Sequence, residues 1–224
     1  MNLPSSIPST QPPTASLGDW LTEILKQRLL SGGYKPGQWL RESALQNEFG
    51  ISNGPVREAM QNLIVSGILV RRAHRGVQVV ALTKNELIEL FEVRLALLEI
   101  ASERLAGFAR TEDLATGQAI IDKVTVAARK KDVDALVLLG GELVDWICQS
   151  TGNQDLINTW EQLTLKARIY IYASLKANRD IETVSLLWQK LFSQISAGDT
   201  KAARNAARAM VRETLRDLDL EVWF

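Results

Sequence analysis

From Leu17 to Leu30 the apolar residues Leu17, Trp20, Leu21, Ile24, Leu25 and Leu29 recur at helical spacing, and the glycines and proline of "SGGYKPG" then stop the helix they predict. "LRESALQNEFG" predicts a shorter helix closed by Gly50, while "GILVRRAHRGVQVVAL" shifts to β-rich residues around the turn "AHRG" and predicts a two-stranded hairpin. Between them, "GISNGPVREAM" at 50–60 packs two glycines, Ser52, Asn53 and Pro55 into six positions before a helix-forming run. Gly50 suits the left-handed end of one helix, and Ser52 is placed to cap the next by accepting from the Gly54 N–H. Pro55 falls in the first turn, where a missing N–H costs little. The pattern is a helix-turn-helix. In its second helix Val56, Ala59, Met60, Leu63 and Ile64 form the apolar face and leave Arg57, Glu58 and Gln61 outside. A rod of this kind can enter a major groove by its N-terminal end. With the hairpin following, the order is that of a winged helix, its wing tip carrying Arg71, Arg72, His74, Arg75 and Gly76.

After Leu82 the pattern changes. Thr83 and Glu86 stand at the spacing of a capping box, and Leu87, Leu90, Phe91, Leu95, Leu98 and Ala101 make one face of a long helix reaching Phe108. Helical periodicity continues over 112–129, 132–151, 154–177, 182–196 and 199–219, broken by "TGN", "ANRD" and "AGD" with no strand between. The expected fold class is therefore mainly α: a winged helix-turn-helix over 16–82 and an all-helical bundle over 83–224. Residues 1–15 hold four of the six prolines with a cluster of Ser and Thr, and read as a flexible arm.

Composition narrows the classes. At 224 residues, 46% hydrophobic and 23% charged, the chain accommodates two modest domains, and it has neither a signal-peptide pattern nor an apolar run of membrane-spanning length, so a cytoplasmic location is expected. Formal charge is zero, but residues 16–80 hold eight Lys or Arg against five Asp or Glu, a net +3, and the remainder carries −3, which places a polyanionic partner in the first third. Cys148 is the only cysteine and reads as a buried small hydrophobe. His74 is the only histidine: an exposed turn residue or a DNA contact, but without the partners a metal site needs. No nucleophile–histidine pairing, phosphate-binding glycine loop or metal cluster supports an enzyme.

The stretch "KPGQWLRESALQNEFGISNGPVREAMQNLIVSGILVRRAHRGVQVV" resembles the DNA-binding domain of the GntR family of bacterial transcriptional regulators. "FEVRLALLEIASERLA", "STGNQDL" and "FSQISAGDTKAA" resemble the helical FCD effector domain of its FadR-like branch, so that the resemblance spans residues 17–218. It implies a homodimer on double-stranded operator DNA whose affinity responds to a small molecule, often a carboxylic acid. It places Arg41, Ser52, Asn53, Gly54 and Arg57 at DNA, with Arg75 and Gly76 in the wing; Gln61 and His74 are further candidates from their exposed positions. Where the family commonly reads "SRTP", this chain has Asn53 in the arginine's place. Asn favours adenine where Arg favours guanine, each worth about 1–3 kcal/mol of discrimination, so a changed operator is expected.

The resemblance also implies a divalent metal, held in many FCD domains by an Asp and a His four apart and two later histidines. Alignment on the "GN" and "GD" turns puts Gly140, Val144, Trp188 and Glu213 at those places, and a one-residue shift yields only Gly141 and Asp145. No metal and no other cofactor is expected. The candidates for effector contact are Arg94, Val144, Arg168 and Trp188. Two readings of the arginines stand: salt bridges, Arg94 with Glu99 and Arg168 with another acid, or guanidiniums that grip a carboxylate. Trp188 either borders a cavity or fills it. A helical domain that only dimerises is the rival to a sensor.

Overall fold

The computed structural model describes residues 16–73, 75–109, 111–177 and 180–224. The expected arm over 1–15 and the wing residue His74 lie outside them.

Helix α1 (Leu17–Leu30) begins at Ser16, whose hydroxyl accepts from the Asp19 N–H at 3.0 Å. Its apolar stripe buries Leu21, Leu25 and Leu29 against α3. The chain then makes β1 (Trp39–Leu40), α2 (Glu42–Phe49), α3 (Asn53–Val65), β2 (Leu69–Arg72) and β3 (Gly76–Val79). Gly50 ends α2 at φ +64°, the left-handed turn its position required. Ser52 does stand at the N-cap of α3, but its side chain makes no capping bond, which corrects the expected bond to Gly54. The hairpin is also larger than expected. β1 pairs antiparallel with the free edge of β3, Trp39 opposite Gln78 and Leu40 opposite Val77, so the sheet has three strands in the order β1-β3-β2. Two residues carry no detectable alternation; only the neighbouring strand makes them one.

The second unit consists of α4 (Lys84–Phe108), α5 (Thr111–Arg129), α6 (Val133–Gln149), α7 (Gln154–Ala177), α8 (Ile181–Ser196) and α9 (Thr200–Asp217). The capping box is present: the Glu86 N–H donates to Thr83 Oγ1 at 3.3 Å, and the Thr83 N–H to Glu86 Oε2 at 2.8 Å. Asp132, Asp180 and Asp199 cap α6, α8 and α9 in the same sense, each accepting from an N–H three residues on. All six apolar residues expected on the inner face of α4 are buried, against α6, α8 and α9. Helix α7 contributes to the cores of both units. Ile169 lies in the core of the winged domain with Leu21, Leu25 and Met60, while Trp160 and Ala167 belong to the core of the bundle. No helix among the described residues is long and apolar enough to cross a membrane.

Candidate nucleic-acid interface and effector cavity

The N-terminal end of α3 stands free. Ser52, Asn53, Gly54, Arg57 and Gln61 are all exposed, and a Cβ built on Gly54 meets nothing within 4 Å, so another backbone could approach there. Asn53 is oriented by α2: its Oδ1 accepts from Gln46 Nε2 at 3.0 Å. Arg57 is tethered to the same helix, its Nε 2.8 Å from Glu42 Oε2. Beside them a groove is lined by Trp39, Arg41, Gln46, Arg71, Arg75 and Gly76. β1 thus carries Arg41 to the side of the wing that faces α2. The wing tip closes with the Arg75 N–H donating to Arg72 O at 3.1 Å, and Gly76 takes φ +102°, a conformation that a side chain there would strain. Through Gln46 and Glu42, which also line the groove, Asn53 and Arg57 adjoin Arg41, Arg75 and Gly76. Gln46 and Glu42, which orient them, have no signal in the sequence beyond their place in a helix.

The bundle encloses a cavity of about 60 Å³ between α4, α6, α7, α8 and α9. Arg94, Val144, Arg168 and Trp188, from four helices, all line it. Phe91, Leu98, Val137 and Ile171 make much of the remaining wall apolar.

Arg94 is 4% exposed. Its Nη1 donates to Thr164 Oγ1 at 2.9 Å, and its Cζ sits 3.9 Å from the centre of the Trp160 ring. No carboxylate among the described residues pairs with it. The bridge to Glu99 that one reading gave it is not made; Glu99 instead pairs with two residues of α9, Arg204 at 3.1 Å and Arg208 at 2.7 Å. Burial pulls the Arg94 pKa down to about 10, against a smaller opposing pull from Cys148 and Asp145, so the guanidinium keeps its charge at neutral pH. Burial pushes the Cys148 thiol up, which leaves it inert. Arg168 has the acid partner that one reading gave it, Asp145, whose other oxygen accepts from Trp160 Nε1 at 2.8 Å. Asp145 and Trp160 are parts of the site that the sequence pattern misses; Asp145 enters it only as a shifted metal position.

The donors do not fit a divalent metal. The indole of Trp188 lies directly on Gly140, where an added Cβ would fall 2.4 Å from Cη2, so the ring fills the space a ligand side chain at the first position would need. Val144 offers no lone pair, and Glu213 pairs with Arg216. Among the described residues no three of His, Cys, Asp and Glu are grouped to hold an ion.

Residues 18–79 match the family "Bacterial regulatory proteins, gntR family", and residues 89–213 match the "FCD domain". The gluconate operon transcriptional repressor of Bacillus licheniformis is 29% identical over 164 residues, covering 73% of this chain and 67% of that protein. The HTH-type transcriptional repressor GlaR of Escherichia coli is 24% identical over 189 residues, 83% of this chain and 85% of the relative. In fold, the chain is similar to the solved structure of E. coli McbR/YncC, with TM-score 0.80 and 22% identity over 92% of this chain and 98% of the other. A transcriptional regulator from Rhodococcus sp. RHA1 matches with TM-score 0.79 and 19% identity over 93% of this chain and all of the other.

Proposed function

The chain belongs to the gntR family of bacterial regulatory proteins, FCD branch, and is a DNA-binding transcriptional regulator; from that premise we propose that a small carboxylic acid held in the bundle cavity controls its DNA affinity. The observation that carries the proposal is Arg94. A buried cation with one hydroxyl, one ring and, among the described residues, no paired carboxylate is costly, and it keeps donors for an acid inside an apolar shell. A guanidinium binds a carboxylate by two parallel hydrogen bonds, and Arg168 adds a second positive group on the same wall. The cavity volume sets the size class. About 60 Å³ is well below the roughly 150 Å³ that admits a benzene ring, so the acid is short, with a small apolar body. That small volume also favours the second reading, in which Trp188 has filled the cavity and the bundle serves dimerisation alone. Operator affinity measured with and without a panel of acids from acetate to hexanoate separates the two: a sensor shows a ligand-dependent change, and no change with any acid leaves the scaffold.

At the DNA, we assign Arg41, Asn53, Gly54, Arg57, Gln61, Arg75 and Gly76 to the interface of a two-fold dimer on an inverted repeat. Arg57→Ala is expected to weaken specific and random duplex alike and to reduce the log–log salt slope by about one, the signature of one phosphate no longer neutralised. Its Glu42 partner must give way for Arg57 to reach phosphate, so Glu42→Gln is expected to tighten binding. Titrations at several salt concentrations check both. Unaltered affinity and slope in a folded Arg57→Ala protein would remove Arg57 from the interface.

A further inference from the structure

Helix α7 turns two different faces to the two units. Trp160, Thr164, Arg168 and Ile171 line the cavity. On the other side Leu165, Ile169 and Tyr170 pack with the winged domain's core. The contacts are close: a Cβ on Gly67, in the turn after α3, would fall 2.7 Å from Lys166, and one on Gly32, after α1, 2.3 Å from the Tyr172 ring. Between the units, the Leu82 N–H donates to the Tyr170 hydroxyl at 2.7 Å. A second hollow, bordered by Lys26 of α1, shares Asp145, Trp160, Thr164 and Arg168 with the cavity. These four residues are therefore the wall between the cavity and the domain boundary.

The Arg168 guanidinium in that wall is already occupied. It holds Asp145, and it lies against Gly141, where an added Cβ would come within 3.1 Å of Nη2. Asp145 in turn is oriented by the Trp160 indole. An acid entering the cavity meets free donors on Arg94, but either two-bond grip on Arg168 uses Nη2, which Asp145 already holds through one oxygen, so such a grip must displace it.

Resting on the effector reading above, we propose that Asp145 is an internal competitor for the effector's carboxylate on Arg168, and that α7 carries the exchange to the DNA-binding domain. Arg168 then has two discrete partners, Asp145 or the acid, and a ligand can shift the DNA-binding unit only through an element whose arrangement differs between them. Helix α7 is placed to be that element, since Arg168 and Ile169 are consecutive residues: any turn of the helix that follows the guanidinium moves the side chain seated in the winged core.

The test uses the full chain, butyrate as probe, and a duplex enriched by the wild type from a random pool. Asp145→Asn keeps an acceptor for Trp160 but removes the charge that holds Arg168. It is expected to bind butyrate at least about fivefold more tightly than wild type, and without any acid to shift DNA affinity by about fivefold or more. A purely structural role for Asp145 would not strengthen acid binding, and Asp145→Glu is expected to restore both properties. Tyr170→Phe, which deletes only the hydroxyl at Leu82, and Ile169→Val are expected to shrink the DNA effect of Asp145→Asn to less than about half its size. Melting curves confirm that each variant is folded. An Asp145→Asn protein with wild-type DNA affinity, or a shift unchanged by both α7 variants, would overturn the proposal. Failure of every acid to bind wild type or Asp145→Asn would sink the effector reading, while the DNA arm, which needs no ligand, would still decide the route through α7.

Discussion

Arg94→Met is expected to weaken acid binding by about 30- to 150-fold in Kd while melting no lower than the wild type. The first half follows from the strength of hydrogen bonds to charged groups, about 2–3 kcal/mol for a guanidinium on a carboxylate, and the conversion of free energy to affinity. The second half follows from the cost of the group removed. Arg94 is buried with no carboxylate paired to it among the described residues, and a methionine of similar length covers Trp160 with no desolvation penalty, leaving Thr164 Oγ1 its bond to the Trp160 carbonyl at 2.7 Å. Calorimetric titration with butyrate and a thermal melt check the two halves together. A binding loss accompanied by an equal loss of stability would mean that Arg94 holds the bundle together rather than waiting for an anion. Arg94→Ala is the useful contrast, because it leaves a void and should lower stability through poorer packing.

Trp188→Ala is expected to cost about 3–5 kcal/mol of stability and to enlarge the range of acids accepted. The indole is 6% exposed, covers Gly140, and forms one wall of the cavity. Removing it takes away a large apolar surface and leaves space that the rigid helices α6 and α9 close only in part. The same space should admit benzoate or octanoate, which the wild-type cavity is too small to hold, so the variant loses stability and gains ligands at once. Urea midpoints at constant m-value and titration with these two acids measure the effects. A loss below about 1 kcal/mol would show that the bundle collapses into the void, and unchanged exclusion of longer acids would mean that some other residue limits their length.

Much of the architecture is legible because it is local. The stripes of α1 and α4, the stop at Gly50, the capping box of Thr83 and the turns at Gly152 and Gly198 are each set within a few residues, and both of these glycines adopt the positive φ their turns need. Even the four residues named for effector contact converge, since apolar periodicity and a few misplaced charges tell which side of a helix faces inward. Ser52 departs from its expected capping bond for the converse reason: residue type marks an N-cap position without fixing how its hydroxyl turns.

What the sequence by itself determined, then, was the mainly helical fold class, a winged helix-turn-helix followed by a helical bundle, the order of the helices, and many of the inward residues of the bundle. The tertiary structure alone decided partners. Trp39 and Leu40 become a strand only because β3 offers an edge. Glu99 goes to Arg204 and Arg208, more than a hundred residues away, and among the described residues Arg94 has no carboxylate partner. Arg168 finds Asp145 on another helix, and Ile169, the next residue, seats in the other domain. The reason is physical: periodicity along a chain records whether a side chain is buried, but the charge or core that receives it depends on how distant elements pack. At this site the identity of the neighbour decides whether a guanidinium is a brace or an open binding group.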